Sequence, residues 1–274
     1  MSKQKIYGPW VGKRYNYPDD HKTTVKFLVD ELCTLKEKHG VVGIKQSFED
    51  EGAILSDVVT MRRVTSYCDL SMFVKIGGCE AVTDINNCVS IGINSIIAPM
   101  VETPFALRKF HDSIKNIDYA NFFFVCESET AFKNLENMLS SEWAKKLSGV
   151  IVGRSDLTKS FGLEKEGVDS DFINEKVEIA LSIAKKYGYK TTMGGNISTK
   201  SMGFIKRMYE SNLLDKVETR NVVIALDNEI INNLDDSISA ALKYEIGWLN
   251  FKANNYISIG ASYSDRAEVL KGRI

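Results

Sequence analysis

The chain has 274 residues, 44% of them hydrophobic and 26% charged, and its 35 Lys and Arg against 36 Asp and Glu leave a net charge of −1. That balance provides no basic face for nucleic acid, and the length suits one soluble domain with a substantial core. The opening MSKQKIYGPWVGKRYNYPDD lacks an apolar run of signal-peptide length and no later stretch could span a bilayer, so no membrane association and a cytoplasmic location are expected.

Residues 1–22 are aromatic and basic, with Pro9 and Pro18 breaking any regular element, and read as an arm packed on the body of the fold or on a neighbouring subunit. Val25, Leu28, Val29, Leu32 and Leu35 then recur at helical spacing up to His39-Gly40, where glycine supplies the helix end. Val41 to Lys45 is the first strand, and the acidic loop Gln46-Ser47-Phe48-Glu49-Asp50-Glu51-Gly52 follows it. Ile54, Leu55, Val58, Val59 and Met61 mark the next helix. The strand Leu70 to Ile76 carries Lys75 at its end, followed by Gly77-Gly78, which let the backbone approach a ligand and open a helix whose amino end favours an anion.

Ser95 to Ala98 is a strand that runs into Pro99-Met100-Val101-Glu102-Thr103, with Thr103 placed to cap a helix and Pro104 at its first position. Asn121 to Cys126 is an apolar strand with Glu127 just beyond it. Gly149 to Gly153 is another, and Arg154-Ser155-Asp156 follows at once. In folds of alternating parallel strands and helices, ligands bind at the carboxyl ends of the strands. Two acids leaving neighbouring strand ends could therefore share one hard divalent cation, or they could be ordinary loop and helix-cap acids. Phe172 to Ala184 forms a periodic helix closed by Gly188, and Tyr189 to Met193 is a strand ending in Gly194-Gly195, which could approach substrate oxygens. Val217 to Ile224 reads as the last strand, with Glu218 and Arg220 as a rim ion pair. Helices over Ile230 to Leu242 and within the tail 248–274 complete the chain.

Seven strands are clear. The eighth is either an unobvious segment of the amino-terminal arm or half of a split Val217 to Leu226 run. With no Gly-rich dinucleotide or phosphate loop, the alternation predicts a single-domain α/β fold, a closed (β/α)8 TIM barrel with an N-terminal arm and a C-terminal helical extension. The five cysteines are odd in number and lack C-x-x-C spacing, which points to reduced thiols. Cys126 should face away from Glu127 by strand alternation. None of the three histidines falls at a strand end, which argues against a histidine-based nucleophile or zinc site.

The PMVET segment, Glu127 after its strand, and the GRSDLTKSFG segment around Asp156, in that order, resemble the HpcH/HpaI 2-oxo acid aldolase and citrate lyase β-subunit family over about Val41 to Leu226. The resemblance implies that Glu127 and Asp156 hold magnesium or manganese, which in turn binds a pyruvate-type enolate, and that the protein is an aldolase-type lyase. It also implies a homo-oligomer, with the final helices packed on a neighbouring subunit. Three positions depart from the family pattern. The histidine of its D-x-E-H motif, which moves the proton, is replaced by Gly52; Glu49 or Glu51 could replace it, or could only orient metal-bound water or a basic group. The arginine that binds the substrate carboxylate is Lys75, whose amine also permits a metal-free Schiff base. Arg154 stands where proline is usual and would lie within reach of the distal end of a substrate, and Ser160 is a further polar contact. Rival readings are citrate-lyase-like acyl-CoA cleavage, phosphoenolpyruvate chemistry, or a 2-oxo acid binding protein without catalysis.

Overall fold

The computed structural model describes residues 24–49 and 51–274; the arm expected over residues 1–22 and Asp50 of the acidic loop lie outside them. Eight strands close into a barrel in chain order: β1 (Val41–Ser47), β2 (Ser71–Lys75), β3 (Ser95–Ala98), β4 (Asn121–Cys126), β5 (Gly149–Gly153), β6 (Lys190–Gly194), β7 (Lys216–Glu218) and β8 (Val222–Ala225). Helices alternate with the strands: α1 (Val25–Lys38), α2 (Leu55–Tyr67), α3 (Val82–Ser90), α4 (Pro104–Ile114), α5 (Glu129–Leu139), α6 (Arg154–Ser160), α7 (Asp171–Lys186), α8 (Met202–Glu210), α9 (Asn228–Asn232) and α10 (Leu234–Lys271).

Local chemistry explains the element ends. Thr24 caps α1 through its hydroxyl, which accepts from the Phe27 amide at 3.1 Å, and Gly40 leaves the helix with φ +63°. Thr103 caps α4 the same way, accepting from Ala106 at 3.1 Å, with Pro104 at the first helical position where its missing N–H costs nothing. Side chains of each strand alternate between two cores. Outward residues such as Ile44, Met72, Val74, Phe122, Phe124 and Val152 pack beneath the helices, while Phe73, Ile97, Phe123, Val125, Ile151 and Val223 fill the barrel interior. Gly43 faces the Phe73 ring so closely that a Cβ there would sit 2.6 Å from it.

β1 to β7 run parallel, which gathers their carboxyl ends on one rim. The Val217 to Leu226 run is split. After β7 the chain turns through Thr219-Arg220-Asn221 and returns as β8, antiparallel to both β7 and β1. The turn holds no glycine or proline; the buried Glu245 of α10 takes that part. Its Oε1 accepts from Thr219 Oγ1 at 2.6 Å and from the amides of Asn221 at 2.6 Å and Val222 at 3.3 Å.

The two carboxyl-terminal helices anticipated from the sequence divide elsewhere: Ile230 and Ile231 fall in the short α9, and the rest of the first joins the second. α10 runs unbroken for 38 residues, packs Ile238, Ala241, Tyr244 and Trp248 onto the barrel, and reaches Asp57 at the start of α2 through Lys252 (3.1 Å) and Tyr256 (2.7 Å). Among the described residues, no helix is long and apolar enough to cross a membrane.

Glu245→Ala would leave three donors at the β7–β8 turn without their acceptor. It should lower unfolding free energy by about 3 kcal/mol, read as a drop in the urea midpoint, with Glu245→Gln losing less because it keeps one acceptor oxygen.

Candidate active site at the strand ends

Glu127 follows β4 on the rim where the parallel strands end, and only 4% of its surface is exposed. Its two oxygens are held separately. Oε2 accepts from Lys75 Nζ at 3.1 Å and Oε1 from the backbone N–H of Met100 at 3.1 Å. Met100 makes that contact from φ +52°, a left-handed conformation that costs a non-glycine residue energy. The PMVET segment thus aims a main-chain amide at the carboxylate. Its Glu102 accepts a hydrogen bond from Ser128 Oγ, and Ser128 caps α5 by accepting from Ala131 at 3.1 Å. Burial pushes the Glu127 carboxyl above its ordinary pKa, the Lys75 ammonium and the Met100 amide pull it back, and the charge of Asp156 adds to the upward push.

Asp156 lies in the first turn of α6, not in an open loop, because α6 begins directly after β5. A carboxylate there is favoured by the helix dipole. Its side chain is 51% exposed and meets Lys159 at 3.0 Å. Gly153, at the end of β5, leaves space beside Glu127: a Cβ at Gly153 would stand 3.0 Å from Glu127 Cβ and 3.3 Å from Oε2.

A second pair shares the barrel mouth. Lys45 of β1 donates to Glu218 of β7 at 2.5 Å with both side chains largely buried, and Gly194 of β6 makes room, since a Cβ there would meet Glu218 at 2.7 Å. The sequence reading passed over Lys45 and paired Glu218 with Arg220. The available signal was the period of two: Gly43, Lys45 and Ser47 share the inward face of β1, as Lys216 and Glu218 share that of β7.

Other candidates are placed differently. Glu51 is bound to the β7–β8 turn, accepting from Asn221 Nδ2 at 2.7 Å and Arg220 Nε at 3.2 Å. Glu49 is exposed, with its carboxylate against Gly77; a Cβ at Gly77 would come within 2.7 Å of it. The Gly77 amide donates to Asp84 of α3 at 2.7 Å, and among the described residues nothing stands within 4 Å of a Cβ built on Gly78.

Arg154 is turned inward with 0% exposure, donating to Asp169 at 2.8 Å, the Gly195 carbonyl at 3.0 Å and Ser201 Oγ at 3.0 Å. Burial pushes its pKa down and Asp169 opposes the shift. It ties the start of α6 to the loop after β6. Gly195, at φ +87°, packs its backbone against the first amides of α6, where a Cβ would lie 2.5 Å from Ser155 N. Ser160 Oγ accepts from the Glu129 amide at 2.8 Å and so joins α6 to α5.

The chemistry of the donors fits a hard divalent cation. Glu127 and Asp156 are carboxylates from adjacent strand ends, close enough for one charge to raise the other's pKa. Among the described residues no group of three or more His, Cys, Asp or Glu converges to hold a metal. A two-carboxylate set with water and substrate completing the shell is the arrangement magnesium accepts.

Residues 52–192, just over half of the chain, match the family model described as HpcH/HpaI aldolase/citrate lyase, a stretch that includes Lys75, Glu127 and Asp156. No protein of curated function matches the chain. Among solved structures, an HpcH/HpaI aldolase/citrate lyase family protein from Burkholderia cenocepacia J2315 aligns with TM-score 0.58 at 13% identity, covering 81% of this chain and 91% of that one. The HpcH/HpaI aldolase from Desulfitobacterium hafniense DCB-2 aligns with TM-score 0.57 at 11% identity, covering 79% and 88%. Macrophomate synthase aligns with TM-score 0.53 at 12% identity, covering 70% and 72%. At such identities these likenesses establish the fold.

Two outcomes follow from the burial at this rim. Arg154→Met leaves the Asp169 carboxylate without its guanidinium and should cost about 3–5 kcal/mol in chemical denaturation. The Cys126 thiol, which burial pushes up to about 12 with Glu127 adding to the shift, should resist iodoacetamide at pH 8 in the folded protein and react once unfolded, as read by peptide mass spectrometry.

Proposed function

Because the chain belongs to the HpcH/HpaI aldolase/citrate lyase family, we propose that it is a metal-dependent carbon–carbon lyase of the aldolase type acting on a pyruvate-like 2-oxo acid through its enolate. One observation supports the reading above others: Lys75, Glu127 and Asp156 stand at the ends of β2, β4 and β5 on one rim, with Glu127 buried and within the field of Asp156.

In this reading Glu127 and Asp156 hold Mg2+ or Mn2+, and water and substrate occupy the remaining positions. When bound, the cation supplies a Lewis acid that draws electron density from the substrate's keto oxygen. Lys75 brings a second positive charge to the same place. Its ammonium has three protons, so one can stay on Glu127 while another meets the substrate carboxylate or the developing enolate oxygen. A lysine does this as a point charge, without the paired donors of a guanidinium, and so orients a carboxylate less strictly than arginine.

Proton transfer at the reacting carbon falls to Glu49. It is exposed beside Gly77, two residues beyond Lys75, whereas Glu51 is bound to the β7–β8 turn. The homo-oligomer implied by the family resemblance belongs to the same proposal.

One observation favours a reading without catalysis. Gly52, where the family has its histidine, has φ +57° and, among the described residues, nothing within 4 Å of a built Cβ, so no described side chain fills that place. The two readings separate in a single assay.

Exchange of pyruvate methyl protons with deuterated water, followed by mass spectrometry, should require added Mg2+ or Mn2+ and stop on chelation. Asp156→Ala should lose both Mn2+ binding, read by electron paramagnetic resonance, and exchange. Lys75→Met should slow exchange by about 10²–10³-fold with Mn2+ still bound. Metal and pyruvate binding without exchange would favour the binding protein, and exchange unchanged by chelator would overturn the metal reading.

A further inference from the structure

At the opposite rim, where the strands begin, a cavity of about 380 Å³ is lined by Lys185, Lys190, Tyr209, Asn212, Asp215 and Lys216, with Leu214, Ala225 and Leu226 as its apolar wall. Three lysines face one carboxylate. Asp215 is already engaged, by Lys185 at 2.6 Å, by Lys190 at 3.6 Å and by the Thr191 amide at 2.8 Å. Lys185 and Thr191 hold its pKa low against the opposing effect of burial, so it remains an anion whose acceptors are occupied.

Lys216 differs from the other two. It begins β7 on the inward face and sends its amine into the barrel, 5.9 Å from the centre of the Phe73 ring and 6.0 Å from that of Phe123. Among the described residues no carboxylate pairs with it. The ring faces compensate an ammonium in part, by less than an ion pair would. Burial against those rings lowers the Lys216 pKa, Lys190 lowers it further, and Asp215 opposes. Desolvation and a neighbouring cation are the two conditions that turn a lysine into a nucleophilic amine at neutral pH.

The geometry points to a second, metal-free site at this rim, in which Lys216 forms a Schiff base with a small carbonyl compound whose anionic group is held by Lys185 and Lys190. The Nζ lone pair adds to the carbonyl carbon to give a carbinolamine, a proton moves from nitrogen to oxygen, and water leaves as the C=N bond forms. No oxidant or metal is required. Asp215 keeps the two flanking ammoniums in place, and their excess positive charge selects an anionic carbonyl over a neutral one.

Glyoxylate with sodium cyanoborohydride would trap the adduct as a stable amine, located by peptide mapping. The Lys216 peptide should be labelled about tenfold faster than peptides carrying exposed lysines. Acetaldehyde, which lacks the anion, should show no such preference. Lys216→Met should remove the label, and Lys190→Gln, at an exposed position, should reduce the preference for glyoxylate with the fold intact. Asp156→Ala should leave trapping unchanged, so failure of the metal reading and failure of this one are separate results. Equal labelling of surface lysines, or label confined to Lys75 and Lys45 at the other rim, would overturn the proposal.

Discussion

A carboxylate taken almost wholly out of water has to be compensated by its surroundings, and the rim of this barrel is arranged around that requirement at Glu127. Lys75 answers one oxygen and the Met100 amide the other. The second partner holds a backbone conformation that methionine would otherwise avoid, and Glu102, Ser128 and the cap of α5 form a hydrogen-bonded chain alongside it. Packing supplies the remainder: Gly153 has no side chain where one would press on Glu127. An anionic centre held this firmly has its geometry set before any ligand arrives, which is what the proposed enolate chemistry would need.

Much of this could be read from residue order because it depends on local chemistry. Thr103-Pro104 carries the favoured cap and first residue of a helix, and the short β-branched and aromatic runs ending at Cys126 and Gly153 have the length and composition of buried strands. Strand ends followed at once by Glu127 and Asp156 carry their own meaning in an alternating fold. The family match covers the same stretch.

The parts that were not legible depend on partners distant in sequence. Arg154 reads as a cation within reach of a substrate's distal end; Asp169 and Ser201, from 15 and 47 residues away, hold its guanidinium in a buried network. Glu51 reads as a possible proton carrier, yet Asn221 binds it from 170 residues further along. The β7–β8 turn was visible only as one of two options, since its tightness depends on Glu245 and not on the residues of the turn itself. Lys45 and Lys216 were overlooked because a lysine in a short strand is usually a solvated edge residue, and inward alternation alone marks them as interior.

The hairpin at β7 and β8 also reverses the chain's direction of travel. A final strand parallel to the others would finish on the rim that carries Glu127 and send its helix back toward the far end. Here β8 finishes at the far end, so α10 climbs the barrel wall in the same sense as β1 to β7. At 1.5 Å per residue it is about 57 Å long, well beyond the height of a five-residue strand. It passes Glu245 at the turn and Asp57 at the head of α2, and more than a dozen residues remain beyond Tyr256. The carboxyl-terminal segment therefore stands as a mast beside the mouth. Trimming the chain from that end would alter the approach to the candidate rim long before it disturbed the wall of the barrel.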